Sequence, residues 1–355
     1  MQLTKRHYYR MGGVLLLLVA GLFFVVMVRD LLRPPLTGTV MTVLNVNGQP
    51  LLHRLNLDNG ELEPMDSDGI GAAHQPVFSP DYERVAFVAV EEIVNSEAVL
   101  RIYLSRIDDF DPQPITSGPR ESDPQWSPDG SKIVFVRSRD FFSALFIVDV
   151  ATGEEQQLTN FTNDLEPDWS PDSQRIVFTT SRDGFQELYT MAPDGSDLKR
   201  LTENENLNDL RAEYSPDGSM ITYMTNYSVG DGTGEIWVMN ADGSNQRRLT
   251  DNRRDDLLPV WSPDSRKIAF SAQLEDRSGS DIFVYDLDAD TMQPLTREPG
   301  FEYFPAWSPD SSWMVYTAHV DGRDYTLNAV RVDGSDRRVL LTGFGAREAY
   351  WLPSE

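Results

Sequence analysis

Beyond Thr39 the hydrophobic positions fall into short alternating runs that recur in one fixed order. A first run, such as Lys132-Ile133-Val134-Phe135-Val136 or Arg266-Lys267-Ile268-Ala269-Phe270, gives way to a polar loop. A second run follows, as in Leu145-Phe146-Ile147-Val148 or Ile236-Trp237-Val238-Met239. Apolar runs this short, bounded by turn residues, predict strands rather than helices. Asp194-Gly195, Asp242-Gly243 and Asp333-Gly334 then mark tight corners, because these residues accept the positive φ that a hairpin requires. A short last strand ends in Leu-Thr, at Leu158-Thr159, Leu201-Thr202, Leu249-Thr250 and Leu295-Thr296.

In front of each first run stands Ser-Pro-Asp, at Ser79, Ser127, Ser170, Ser215, Ser262 and Ser308, with intervals of 48, 43, 45, 47 and 46 residues. An aromatic residue precedes each serine: Phe78, Trp126, Trp169, Tyr214, Trp261 and Trp307. Ser, Pro and Asp followed by Gly or Ser suit the four positions of a type I turn, with a side-chain acceptor, a preset φ and a tolerant corner. Each repeat therefore reads as strand A, turn, strand B, loop, strand C, hairpin, strand D. A period in the mid-forties is the length of one four-stranded propeller blade, so the fold class is all-β. The recurrent aromatics read as packing between blades, each burying on the order of 150–250 Å².

Pro124-Gln125-Trp126-Ser127-Pro128-Asp129-Gly130, then Ile133-Val134-Phe135, and the Ile236-Trp237-Val238-Met239, Asp242-Gly243 and Arg248-Leu249-Thr250 elements together resemble the repeat of the TolB-like β-propeller family, a WD-like repeat. The resemblance covers about residues 39–355. It implies a propeller and a part in an envelope protein complex; propellers carry many unrelated activities, so chemistry has to be argued from the site.

The two ends of the repeat region set the expected blade count. Residues 39–46 read as a strand B, Leu51 to Leu57 as C, Asp58-Asn59-Gly60 as a hairpin turn and Glu61 to Met65 as D, with no strand A before them. Arg347 to Pro353 copies a strand A, with Trp351 in the place of Trp307. Three strands from the start and one from the end predict a seven-bladed β-propeller closed by strand exchange within one blade, which removes an open sheet edge. Six blades is the alternative.

Ahead of the repeats, residues 11–28 carry no charge, and as a helix would run roughly 27 Å, enough to cross a hydrocarbon core. Lys5, Arg6 and Arg10 precede it, so the positive-inside tendency puts residues 1–10 in the cytoplasm. The expected organisation is a tail at 1–10, one transmembrane signal-anchor helix at 11–28, a linker at 29–38 and a β-propeller domain at 39–355, displayed outside the cytoplasm from a single-pass cell-membrane anchor. A cleaved signal peptide is the competing reading, although no small-x-small site follows the apolar run. The chain has 355 residues, no cysteine and a formal charge of −25. The first 33 residues hold Lys5, Arg6, Arg10, Arg29 and Arg33 against Asp30, so the remainder carries −29. Such a surface repels nucleic-acid phosphates and anionic head groups, which excludes both as general partners.

Chemistry is expected where the B–C and D–A loops meet, since these vary while the Ser-Pro-Asp turns and C–D hairpins are short and uniform. Arg139, Arg182, Arg211 and Arg254, with the aromatics Phe142, Phe161, Phe301 and Tyr303, form the candidate partner-binding face, because arginine forks suit carboxylates and aromatics anchor interfaces. The alternative is that the arginines pair with Asp123, Asp140, Glu166, Asp183 and Asp255 and knit the loops together. Asp123, Glu166, Arg211 and Glu348 share the place just before the strand-A Pro or Ala and should approach the mouth of a central channel. Paired carboxylates there suit acid–base work or a divalent cation, at separations the sequence does not fix. Asp286-Leu287-Asp288-Ala289-Asp290 reads as a solvated turn, lacking the Gly and distal Glu of a calcium loop. No Gly-x-Ser-x-Gly elbow, thiol, Cys/His metal cluster or phosphate-cradling loop appears, and the four histidines are scattered, so no catalytic residue, metal ligand or cofactor is nominated. The expected role is a non-enzymatic binding module for an envelope protein or peptide. A hydrolase or lyase acting on a sugar or peptide-like substrate, and a non-catalytic structural or sensor domain, are the alternatives.

Overall fold

The computed structural model describes residues 36–46, 49–65, 73–94, 97–227, 233–252, 254–276, 278–319, 325–343, 345 and 347–353. The tail, the apolar segment at 11–28 and most of the linker lie outside the described residues, as do 228–232 and 320–324 of two B–C loops. The chain divides into units 1–37 and 38–355, and the second holds all of the structure that follows.

Among its described residues the regular structure is β-strand throughout. In chain order the strands are β1 (Thr39–Val46), β2 (Gln49–Asn56) and β3 (Leu62–Pro64); β4 (Ala73–Phe78), β5 (Arg84–Val94), β6 (Glu97–Arg106) and β7 (Gln113–Pro114); β8 (Glu121–Trp126), β9 (Lys132–Arg139), β10 (Phe142–Asp149) and β11 (Glu155–Gln157); β12 (Asp164–Trp169), β13 (Ile176–Thr180), β14 (Glu187–Met191) and β15 (Lys199–Arg200). They continue with β16 (Leu207–Tyr214), β17 (Met220–Tyr227), β18 (Glu235–Asn240) and β19 (Arg247–Arg248); β20 (Asp256–Trp261), β21 (Lys267–Gln273), β22 (Ser280–Asp286) and β23 (Thr291–Pro294); β24 (Phe301–Trp307), β25 (Trp313–His319), β26 (Thr326–Arg331) and β27 (Arg337–Thr342); and β28 (Arg347–Leu352). Each set of four from β4 onward pairs antiparallel in sequence order, and one parallel bridge, Ser280 to Phe301, links β20–β23 to β24–β27. At the ends of the repeat region β28 pairs with β1, in the order β28-β1-β2-β3, setting Trp351 opposite Val40.

Burial explains the strand composition. In β9 the run Ile133 to Val136 is fully buried, and in β13 every residue is buried. Both faces of these B strands are covered by neighbouring sheets, which removes the need for alternation. Ile102 and Val88 pack on Ile133, Phe135 and Phe146 of the next sheet; Val134, Val136 and Leu145 pack on Phe178 and Tyr189 of the one after. The same interleaving recurs along the chain, and β24 and β25 lie against β28. The outermost strands, such as Gln113–Pro114 and Arg247–Arg248, are exposed.

The Ser-Pro-Asp turns are built alike. Each serine Oγ donates to the aspartate Oδ1 at 2.5–2.7 Å and accepts the amide five residues on at 2.8–3.0 Å. The recurrent tryptophans are stitches as well as core. The Nε1 of Trp126, Trp169, Trp261 and Trp307 donates to a strand-A carbonyl of the preceding sheet (Val77, Gln125, Glu213 and Val260) at 3.1–3.3 Å.

Candidate functional site

Strand polarity brings the B–C hairpins, the D–A loops and the beginnings of the A strands to one end of every sheet. The A strands are the edge strands that meet from sheet to sheet: β4 with β8, β8 with β12, β12 with β16, β16 with β20, β20 with β24 and β24 with β28. Each carries a non-glycine residue at positive φ three places before its aromatic: Gln75, Asp123, Glu166, Arg211, Leu258, Phe304 and Glu348, at φ 47 to 58°. The pairing register slips beside every one. A β-bulge of this kind costs backbone strain and re-aims one side chain, and here the same position is re-aimed sheet after sheet.

The three carboxylates nominated at the channel mouth occupy this series together with Arg211. Glu348 Oε2 accepts the Gln75 amide at 3.0 Å, and Gln75 Oε1 accepts the Asp123 amide at 3.0 Å, while Gln75 Nε2 donates to Asp123 Oδ1 at 2.6 Å. Glu166 Oε2 accepts the Arg211 amide at 2.9 Å, and its other oxygen lies 3.5 Å from Arg211 Nε. Burial raises the Asp123 pKa, against the lowering effect of Ser122, Gln75 and the Arg211 charge. Leu258 and Phe304 make the rest of the series apolar. Phe304 adjoins Tyr303 at 6.2 Å, and Tyr303 stacks on Phe301 at 6.0 Å, so the two aromatics nominated in this loop stand together beside the series.

Two residues further along their strands, Asp168 and Glu213 form a second acidic pair. Burial lifts Asp168 to about 7, although the Tyr214 amide bonds its Oδ2 at 2.8 Å. Burial, and then the Asp168 charge, lifts Glu213 well above the carboxylate range.

The nominated arginines divide. Arg182 is inside: its Nη2 contacts both Asp164 oxygens at 3.2 Å and its guanidinium lies over Tyr189 and Phe178. Arg139 covers Phe161 at 5.5 Å, and Phe161 packs on Phe146. Arg211 is half exposed, and Arg254 has its amide on Asn252 Oδ1. Phe142 is 53% exposed and its neighbour Phe141 92%; on the adjacent β5–β6 hairpin Ile93 is 73% and Val94 44% exposed. The structure therefore places apolar side chains in solvent at two neighbouring hairpin tips. Clefts of about 380 and 560 Å³ open between sheets, the first beside Lys267, Asp286 and Arg331, the second reaching the loop-end residues Asn160, Thr162 and Arg182. Among the described residues no three His, Cys, Asp or Glu side chains gather as a metal-binding group.

Sequence reasoning missed an acid five places before the aromatic in five repeats: Glu121, Asp164, Asp209, Asp256 and Glu302, all fully buried. It also missed Arg137, whose Nη2 bonds Glu121 and, at 2.6 Å, Glu155. The constant spacing was the available signal.

The family model described as the TolB beta propeller domain matches residues 82–355. The Tol-Pal system protein TolB of Coxiella burnetii (strain RSA 493 / Nine Mile phase I) is 30% identical over 124 residues, 34% of this chain and 28% of that protein. The chain thus aligns with less than a third of that relative's length. Among solved structures, TolB from Acinetobacter baumannii superposes with a TM-score of 0.55 at 21% identity, covering 89% of this chain and 82% of that one. Oligogalacturonate lyase from Vibrio parahaemolyticus superposes with a TM-score of 0.60 at 16% identity, covering 87% and 86%. At these identities the superpositions speak for the fold alone. With the family model matched over most of its length, the chain belongs to the TolB β-propeller domain family.

Proposed function

We propose that this protein is a membrane-tethered, extracytoplasmic binding module: a seven-bladed propeller, closed by β28 on β1, that holds an envelope protein or peptide on its loop-rich end. The pairing of Trp351 with Val40 supports the blade count and the closure. The uncharged run at 11–28 behind Lys5, Arg6 and Arg10 supports the anchor and the orientation. The observation that carries the binding role is the exposed apolar set Ile93, Val94, Phe141 and Phe142 on adjacent hairpins of one end, since large exposed apolar side chains grouped on one end of a soluble domain mark interaction sites. Names of relatives such as the Tol-Pal system protein agree with an envelope partner. A photo-crosslinking residue at Phe141 in cells should give a discrete adduct, while the same residue at Asp194, on the opposite end, should give none. Equal labelling at both, or none at Phe141, would remove the loop-end reading.

The enzyme alternative has one observation of its own, the acidic pair of Asp168 and Glu213, both raised by burial and two residues along the chain from Glu166 and Arg211, and the lyase among the structural neighbours fits it. It requires turnover of a sugar or peptide-like substrate that Glu166→Gln abolishes; a binding module tolerates that change.

A further inference from the structure

Three successive sheet junctions each bury two carboxylates around the threonine of a Leu-Thr pair. One acid opens or nearly opens a C strand, and the other lies at or near the start of the next A strand: Glu187 with Asp209, Glu235 with Asp256, and Asp281 with Glu302. All six are buried, and it is burial first, with the charge of the first acid a smaller contribution, that raises the pKa of the second in each pair. Two like charges in such surroundings need compensation.

At the first two junctions the chain provides it. Glu187 accepts from Thr202 Oγ1 at 2.7 Å, the Asn204 amide at 2.6 Å and Arg200 Nη2 at 3.2 Å. Asp209 accepts from Thr225 Oγ1 at 2.7 Å and from Asn204 Nδ2. Glu235 has Thr250 Oγ1 at 2.7 Å and Arg248 Nη2 at 2.7 Å. Asp256 has Asn252 Nδ2 at 2.6 Å on Oδ2, although its Oδ1 has no partner. The cation comes from the residue two before the threonine, and the amide from the residue two after it.

At the third junction those two positions are Pro294 and Glu298. Neither oxygen of Glu302 has a hydrogen bond, nor has Asp281 Oδ1. Thr296 Oγ1 accepts the Ile282 amide at 2.8 Å; both groups lower the Glu302 pKa from nearby without reaching its oxygens in hydrogen-bonding geometry. Two cations stand nearby without hydrogen-bonding either acid: Arg337 lies over the Tyr316 ring at 5.7 Å and 3.9 Å from Glu302 Oε1 while bonding Glu298 at 2.6 Å with its other nitrogen, and the Arg297 charge acts against the burial that raises the Asp281 pKa. Two neutral oxygens on the same face of the β24–β27 sheet are also without partners, Tyr316 Oη and Asn328 Oδ1, both fully buried. Tyr316 lies opposite Asn328, and Glu302 lies opposite Ala318, two residues on from Tyr316, so all three side chains turn toward the β20–β23 sheet. Asn328 Nδ2 is engaged by Thr326 Oγ1 at 2.9 Å, which leaves its carbonyl as the free end.

We propose that this junction is a divalent-cation site fitted to calcium, with the Asp281 and Glu302 carboxylates as its charged ligands and the Asn328 carbonyl and Tyr316 hydroxyl as neutral ones. All four donors are hard oxygens, the set calcium takes in flexible coordination and magnesium, with its strict octahedron, accepts less readily. The ion completes at this junction the compensation that Arg200 and Arg248 give by direct contact at the other two and that Arg297 and Arg337 give here only from a distance. Two carboxylates suit an affinity of the order of 10⁻⁴ to 10⁻³ M, the range of extracellular calcium modules. The proposal does not depend on the binding role assigned to the loop end.

Thermal melts of the full chain in chelator, in calcium chloride and in magnesium chloride test it. Calcium should raise the Tm saturably by a few degrees, magnesium less, because a ligand that binds only the folded state stabilises it by mass action. The rise should be larger at pH 8 than at pH 5.5, as the ion must displace protons. Glu302→Gln should abolish it. The double variant Pro294→Arg, Glu298→Asn, which copies the self-compensated junctions, should melt higher than the native chain in chelator and lose the calcium response. A native Tm indifferent to both ions overturns the site, and so does a calcium response that survives undiminished in Glu302→Gln. Should Glu302→Gln fail to fold, an undiminished response in the double variant overturns it equally.

Discussion

The guanidinium groups of Arg137 and Arg182 reach matching places in adjacent sheets from different positions, Arg137 directly opposite Glu121 and Arg182 two residues beyond Thr180, the residue opposite Asp164. Each guanidinium lies over the aromatics of its own B and C strands, Phe135 and Phe146 for the first, Phe178 and Tyr189 for the second, and each meets a buried acid, Glu121 or Asp164. Removing the cation alone leaves an uncompensated buried carboxylate, which is the costly way to break such a pair; replacing both partners with apolar groups is close to neutral. Arg182→Met should therefore destabilise the protein by about 3 kcal/mol in denaturant melts, and Asp164→Leu combined with Arg182→Met should recover most of that. A loss below about 1 kcal/mol for the single variant would mean that Asp164 is solvated without its partner. The sequence sets Arg182 beside Arg139, Arg211 and Arg254 because all four lie near strand ends. Asp164, which claims Arg182, differs from an exposed loop acid only in its distance from Trp169, and burial cannot be read from one residue's identity. The nominated carboxylates were easier, since their place before the strand-A Pro or Ala puts them at one structural position.

Among the elements, the turn was legible and the bulge was not. Ser-Pro-Asp is complete in itself: the serine binds an aspartate two residues on and a backbone amide five residues on, so all its causes lie within one short window of sequence. Ser127→Ala should cost about 1–2 kcal/mol by removing three hydrogen bonds around a buried serine, and Ser170→Ala a similar amount, with the two adding in the double variant because they sit in different turns. A double variant no worse than either single one would show that the turns are slack and that the aromatic stitches hold the sheets. The bulges have no such window. Gln75, Asp123, Arg211 and Leu258 share no chemistry, yet all adopt positive φ, because the kink is demanded by A strands packed edge against edge, as the bonds from Gln75 to Glu348 and from Arg211 to Glu166 show. Only the assembled set of sheets imposes it.

On the scale of the whole molecule, two groups of carboxylates have opposite effects on stability. The turn aspartates Asp81, Asp129, Asp172 and Asp217 are held below the ordinary range, chiefly by the serine hydroxyl two residues before them, and Asp310 is lowered too by Ser308 and Ser312 despite its burial. Their contribution is present above the unfolded pKa near 4 and lost as the pH falls below it. The interior acids go the other way. Burial raises Asp209 and Asp256 to about 6 and Asp168 and Glu302 to about 7, and it raises Glu213 well above its ordinary value too. Between the unfolded pKa near 4 and these values the folded chain binds more protons than the unfolded chain, so stability falls as the pH rises through that window. A formal charge of −25 adds self-repulsion in the same direction. Melts in chelator should therefore place the Tm at pH 5 higher than at pH 8, by about 5 °C or more, with a second decline below pH 4 as the turn aspartates protonate. Asp168→Asn removes one of the strongest acid-side groups together with the charge that raises Glu213, so it should flatten the slope between pH 5 and 8 without moving the decline below pH 4. A Tm that is level or rising from pH 5 to 8 would mean that these acids stay ionised in the folded protein, compensated by water or cations within the sheet junctions. In that case adding calcium should leave the pH profile unchanged at every junction except the one formed by Asp281 and Glu302, which makes the two melting series, with and without the ion, a single experiment on where this fold keeps its charge.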